Sequence, residues 1–192
     1  MMSEKKNVTA AKPRVGGAMY VAPAGTALPT DATTELAAAF KSLGYISEDG
    51  LTNSNSPESE EIKAWGGDVV LTPVTGRPDT YSCKLIELTN VEVLKLVYGD
   101  KNVDGTIETG ITIQANAQDL EAHAIVVEMV LKDGALHRIC IPDARLSELG
   151  ETSYADADAV GYEVTLSCQP DTSGNTHYEY IKSKAVSSNG QS

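Results

Sequence analysis

The stretch "HAIVVEMVLKDGALHRICIP", residues 123–142, decides the fold class. Apolar residues crowd both sides of Lys132-Asp133-Gly134. Successive side chains of a strand point to opposite faces, so each flank reads as a strand, over 123–131 and 135–142. The triplet between them is a hairpin signal, because Asp133 and Gly134 can take the positive φ of a tight primed turn.

Outward from that hairpin the same period-two pattern, closed by turn residues, recurs at 18–25, 61–65, 68–76, 80–88, 110–115, 162–169 and 177–182. These segments predict a mainly β domain. "WGGD" (65–68) marks a second hairpin. Two segments read as helix. Residues 90–99 have Asn90 as N-cap, Glu92 in the first turn and Gly99 as stop, with Val91, Leu94 and Tyr98 on one face. Residues 31–44 set Leu36, Phe40 and Leu43 at helical spacing after Asp31 and before Gly44, although their second half could equally feed a strand. Residues 47–59, rich in Ser, Asn and acids, read as a long exposed loop, and loops of that length are often functional.

A chain of 192 residues accommodates one domain with tails: a flexible basic arm over 1–16, a domain over 17–182 and a flexible tail over 183–192. The formal charge is −12. Lys5, Lys6, Lys12 and Arg14 against Glu4 give the arm +3, which leaves −15 for the remainder. Such a body repels phosphate backbones and anionic membranes, which disfavours a nucleic-acid reader. The opening residues lack the apolar core of a secretory signal, so the sequon at Asn7 carries no meaning, and no apolar run approaches a membrane span. Cys83, Cys140 and Cys168 lie in strand-like segments without C-x-x-C spacing and read as buried free thiols.

Little in the chain points to chemistry. In "DKNVDGTIETGI" (100–111), Asp100, Asn102 and Asp104 stand at the first, third and fifth positions of an EF-hand loop, with Gly105 sixth and Ile107 eighth. The twelfth position, where a bidentate Glu belongs, is Ile111, and the next residues alternate like a strand. A weak calcium site and a solvated turn are the two readings. His123, His137 and His177 are far apart in sequence, and no metal or other cofactor is expected. Phosphate-loop, nucleophile-elbow and zinc-helix motifs are absent, so no enzyme is supported. The acids at 155–160, with Glu148 and Glu151, fit a solvated loop, paired carboxylates, or the wall of a channel that repels a polyanion.

The only tryptophan, Trp65, stands in "EEIKAWGGDVV" (60–70) on the polar side of a strand, beside Gly66 and Gly67. An aromatic between charged residues suits a subunit interface over Glu61, Lys63, Trp65, Gly66 and Gly67. The alternative is that Trp65 caps the core at a hairpin end.

"GYISEDG" (44–50), "IKAWGG" (62–67), "EVLKLVYG" (92–99) and the long hairpin "KDGALHRICIPDARLSELGE" (132–151), taken in order, resemble the major tail tube proteins of long-tailed, siphovirus-type phages. The resemblance covers about residues 17–182. It implies a β-sandwich or barrel-like domain with one flanking helix, located in the virion tail after synthesis in the host cytoplasm. It further implies hexameric rings that stack, strands of six subunits joining in an inner barrel, and genomic DNA passing through without specific binding. Tape-measure, tail-tip and tail-terminator proteins follow as partners, with no membrane, no cofactor and no catalysis. Some relatives carry a further immunoglobulin-like domain, for which residues after 182 leave no room. The acidic body agrees with such a conduit, and the basic arm could meet a neighbour's acidic residues 47–61. Two other readings are a tube of a contractile or type VI-like secretion machine, and a free-standing β-sandwich binding module stabilised by calcium.

Overall fold

The computed structural model describes residues 4–183. In chain order it contains β1 (Ala11–Pro13), β2 (Met19–Pro23), β3 (Lys41–Ser42), β4 (Ile46–Asn55), β5 (Glu58–Ser59), β6 (Ile62–Lys63), β7 (Val69–Leu71), β8 (Val74–Gly76) and β9 (Asp79–Leu85). Then follow α1 (Val91–Tyr98), β10 (Val103–Thr106), β11 (Gly110–Ile113), β12 (His123–Leu131), β13 (Leu136–Leu149), β14 (Tyr162–Gln169) and β15 (Tyr178–Lys182). The expectation of a mainly β, sandwich-like fold holds, with one α-helix among the described residues rather than two.

The 123–142 hairpin forms its centre. β12 pairs with β13 in a register that sets Glu128 opposite Arg138. The turn differs from the primed type: among the described residues only glycines take positive φ, so Asp133 stays right-handed and Gly134, at +78°, does the bending. The Gly134 N–H donates to the Leu131 carbonyl, closing a three-residue loop of the kind that ends in a left-handed glycine. Around this hairpin one antiparallel sheet runs β3-β2-β12-β13-β14-β9-β4, with β1 beside the end of β12 and β15 beside the start of β13. β13 belongs to both halves. Its residues 136–140 pair with β15 and 143–149 with β14, with a bulge between Leu146 and Glu148 that helps the sheet turn.

The inward faces of both halves meet in one core. Met19, Val21, Ile125 and Val127 from one half pack with Tyr81, Cys83, Leu85, Val164, Leu166 and Cys168 from the other. α1 closes the core with Val93, Leu94, Leu96 and Val97. The Asn90 side chain caps it by accepting from the Glu92 N–H at 3.1 Å, and Gly99 ends it, as its sequence predicts. The three cysteines are buried and unpaired. Their thiols are pushed up to about 12, in each case chiefly by burial.

A second cluster on the other face of β12 explains why "HAIVVEMVL" is apolar almost throughout. Ala22, Ala124, Val126 and Cys140 are covered by Leu28, Leu36, Phe40, Tyr178 and Tyr180. Leu36 and Phe40, two of the side chains that suggested a helix, therefore do pack inward here, but no helix forms over 31–40. The carbonyls of Asp31 and Thr34 are taken instead by Arg138, whose guanidinium donates to them at 2.7 and 2.8 Å. The Asp31 carboxylate accepts from the N–H and hydroxyl of Thr34 and of Thr33, a cap with no helix after it, and these bonds hold its carboxyl well below the usual range.

Arg138 also pairs with Glu128, and Glu128 accepts in turn from Arg14 at 2.8 Å. Both members of the buried pair are thus satisfied. Within the arm expected to be flexible over 1–16, residues 9–14 make contacts with the body. Thr9 accepts from the Lys132 N–H, Ala11–Pro13 pair with β12, and Arg14 reaches Glu128. Most of the tail expected over 183–192 lies outside the described residues.

Candidate subunit interface

The main correction to the sequence reading concerns residues 47–59. The polar stretch is a strand, not a loop: β4 pairs with β9 from Leu51↔Cys83 to Asn55↔Asp79. Beyond that pair the two chains continue side by side, with β5 against β8 and then β6 against β7. Serine and asparagine are poor strand formers in isolation, and tertiary pairing with the apolar β9 overrides the local preference. Irregular register at each step, together with Pro73, breaks the ladder into short pieces.

The result is one long hairpin spanning residues 46–85 with its tip at Ala64–Asp68. The Ala64 N–H donates to the Asp68 carbonyl at 2.8 Å, and the Gly67 N–H to the Ala64 carbonyl at 3.0 Å. Gly66 and Gly67 take φ of +119° and +100°, a backbone that residues with a Cβ rarely adopt. The anticipated "WGGD" hairpin is present, with strand β6 shorter than expected and Trp65 in the turn itself. From Asn55 to Trp65 the chain reaches roughly 30 Å at about 3.3 Å per residue.

Among the described residues no other element pairs with this extension beyond β4 and β9. Trp65 is fully exposed, at 107%, and Ile62, Val69, Val70, Leu71 and Val74 are exposed as well. The alternative in which Trp65 caps the core is overturned by that exposure. Glu58, Glu60, Glu61 and Asp68 surround these side chains, with Lys63 3.5 Å from Glu61. Exposed apolar groups rimmed by charge on a protrusion mark a surface for another macromolecule rather than a reaction centre.

The root of the hairpin is pinned. The Asp79 carboxylate, shielded from solvent, accepts from Asn53 at 2.8 Å and from Thr176 at 2.6 Å, and lies 2.6 Å from His177 Nδ1. Burial pushes this carboxyl up, but the hydrogen bonds from Thr176, Asn53 and His177 and the His177 charge outweigh it, leaving it below its ordinary value. Glu179 then bridges His177 and His137, at 3.4 and 2.8 Å. Asp79 was not singled out in the sequence. Its phase with Tyr81, Cys83 and Leu85 was the available signal, since it puts the acid on the inward face.

Fitted to known families, residues 2–190 match the phage tail tube proteins. The chain belongs to that family. Comparison with curated proteins gives no match. Membership makes the protein a structural subunit of a phage tail tube, located in the virion tail, that self-assembles and meets other tail proteins. The family is structural, not enzymatic.

The other singled-out residues fall as follows. Asp100 and Asn102 lie in a 3-10 turn and Asp104 on β10, which pairs with β11 through Gly105↔Ile111. The Asn102 side chain donates to the Tyr98 carbonyl and accepts from Asn116, while Asp100 sits 3.7 Å from His123. Among the described residues no three His, Cys, Asp or Glu side chains are grouped to hold a metal. No described helix is long and apolar enough to cross a membrane. Glu148, Glu151 and the 155–160 acids are exposed.

Proposed function

We propose that the protein forms hexameric rings that stack into the tube of a siphovirus-type tail, with Glu61, Lys63, Trp65, Gly66 and Gly67 in the contact between subunits. Genomic DNA passes through the channel without specific binding. The tape-measure protein lies inside, tip and terminator proteins engage the ends, and the subunit is made in the host cytoplasm.

The observation that carries this reading is the hairpin over 58–76, whose Ile62, Trp65, Val69, Val70, Leu71 and Val74 stay exposed among the described residues. A single copy has no use for it. The outward face of β4, β9 and β14 supports the conduit. It presents Thr52, Ser54, Thr80, Ser82, Thr165 and Ser167, with Lys84 set against Glu163, while the alternate residues enter the core. Hydroxyls with little positive charge offer DNA no counterion-releasing contacts, so a polyanion slides past.

Electron microscopy of the purified protein, alone at high concentration and with tail-tip components, tests the proposal. Rings or tubes with sixfold symmetry and an open channel are expected. Monomers under every condition would overturn it.

A further inference from the structure

Residues 11–18 and 44–51 run past one another at the edge of the main core and leave between them a cleft of about 690 Å³. Its walls are apolar: Val15, Tyr45, Ile46, Leu51, Val127 and Met129. Val15 and Tyr45 are 100% and 73% exposed. Lys12 and Arg14 stand on one rim, Glu48 and Asp49 on the other.

The cleft lies beside the first half of β4, whose residues 46–51 line it, at the end of the long hairpin away from its tip. Trp65 is at the far end of that two-stranded stalk and is fully exposed among the described residues. The β5–β8 and β6–β7 pairs carry the tip away from β4 and β9. In this structure the tip is exposed and leaves the cleft of its own chain unfilled, so the tip of a second molecule can fill it.

We infer that the Trp65 tip of one copy seats in the cleft between residues 11–18 and 44–51 of a second copy. This rests on the assembly proposed above and adds the receiving site. The charges fit. Glu60, Glu61 and Asp68 around the tip face a rim holding Lys12 and Arg14, and Lys63 faces Glu48 and Asp49. The volume is in the range that holds an indole-sized group with its neighbours. Such a contact joins unlike surfaces, so every subunit both gives a tip and receives one, and growth continues until a ring closes or a tube ends.

Cross-linking tests the pairing cleanly, because Cys83, Cys140 and Cys168 are buried. Trp65→Cys and Tyr45→Cys proteins are mixed, assembled and treated with a short bis-maleimide. A covalent dimer in the mixed tubes, absent from each variant alone and from dispersed subunits, is expected. Tubes of normal yield without that dimer would overturn the inference and leave the cleft to residues 184–192 or another tail protein, while the assembly reading survives. A protein that never forms tubes removes both.

A double-mutant cycle covers the case in which a cysteine at position 65 itself blocks assembly. If tip and cleft meet, Trp65→Ala and Tyr45→Ala together raise the critical concentration by much less than the product of their separate effects. Fully multiplicative effects refute the contact. As the only tryptophan, Trp65 also reports directly: its emission shifts to the blue on assembly, and an unshifted emission in tubes counts against the inference.

Discussion

Trp65→Ala separates assembly from folding more sharply than any other single change. In the free subunit the side chain is fully exposed, so its removal withdraws no packing and leaves no cavity. The stability of the dispersed protein should stay within about 0.5 kcal/mol of the parent, as for surface substitutions generally. In the tube the same side chain has up to roughly 200 Å² to bury, which at about 25 cal/mol per Å² sets a ceiling near 5 kcal/mol. Ordering of the tip and incomplete burial reduce this to about 2–4 kcal/mol, the range of aromatic interface anchors. At about 1.4 kcal/mol per decade, the critical concentration for tube formation rises roughly 30- to 700-fold. Sedimentation across a concentration series measures that rise, and urea unfolding of the dispersed subunit measures the fold. A subunit destabilised by more than about 2 kcal/mol, with its critical concentration unchanged, would show that Trp65 serves its own chain and that the reasoning is wrong.

Three further outcomes follow from the interior. Arg138→Ala leaves Glu128 buried with only Arg14 for a partner and frees the 31–34 turn, so a loss of about 3–5 kcal/mol in urea unfolding is expected. Asp79→Asn weakens the root of the hairpin by about 1–3 kcal/mol at neutral pH. Because the folded-state carboxyl of Asp79 is depressed, its contribution is present above the unfolded value near 4 and is lost as pH falls through the folded value. The gap between parent and variant in unfolding midpoints should therefore narrow below about pH 4, and a constant gap would contradict the pairing. Calcium titration by calorimetry should give no saturable heat, since Asn102 is engaged by Tyr98 and Asn116 and Asp104 belongs to a strand; saturable binding lost in Asp100→Ala would reverse that.

By itself the sequence determined the β class, most strand positions, the capped helix at 91–98, the central hairpin and the buried thiols. Each of these rests on local periodicity or on a turn or cap residue, signals that survive without knowledge of the partner strand. It also placed a glycine turn next to the lone tryptophan. Tertiary structure alone decided three things. Residues 46–55 became a strand because β9 offered a ladder to their backbone, although Ser and Asn gave no local reason. Residues 31–40 stayed irregular, with Arg138, more than a hundred positions away, taking the Asp31 and Thr34 carbonyls, while 41–42 joined β2 as the strand their second half allowed. Trp65 stands free because paired strands carry it away from the core. Whether a side chain is covered depends on where the rest of the chain goes, and a pattern of neighbouring residues does not contain that distance.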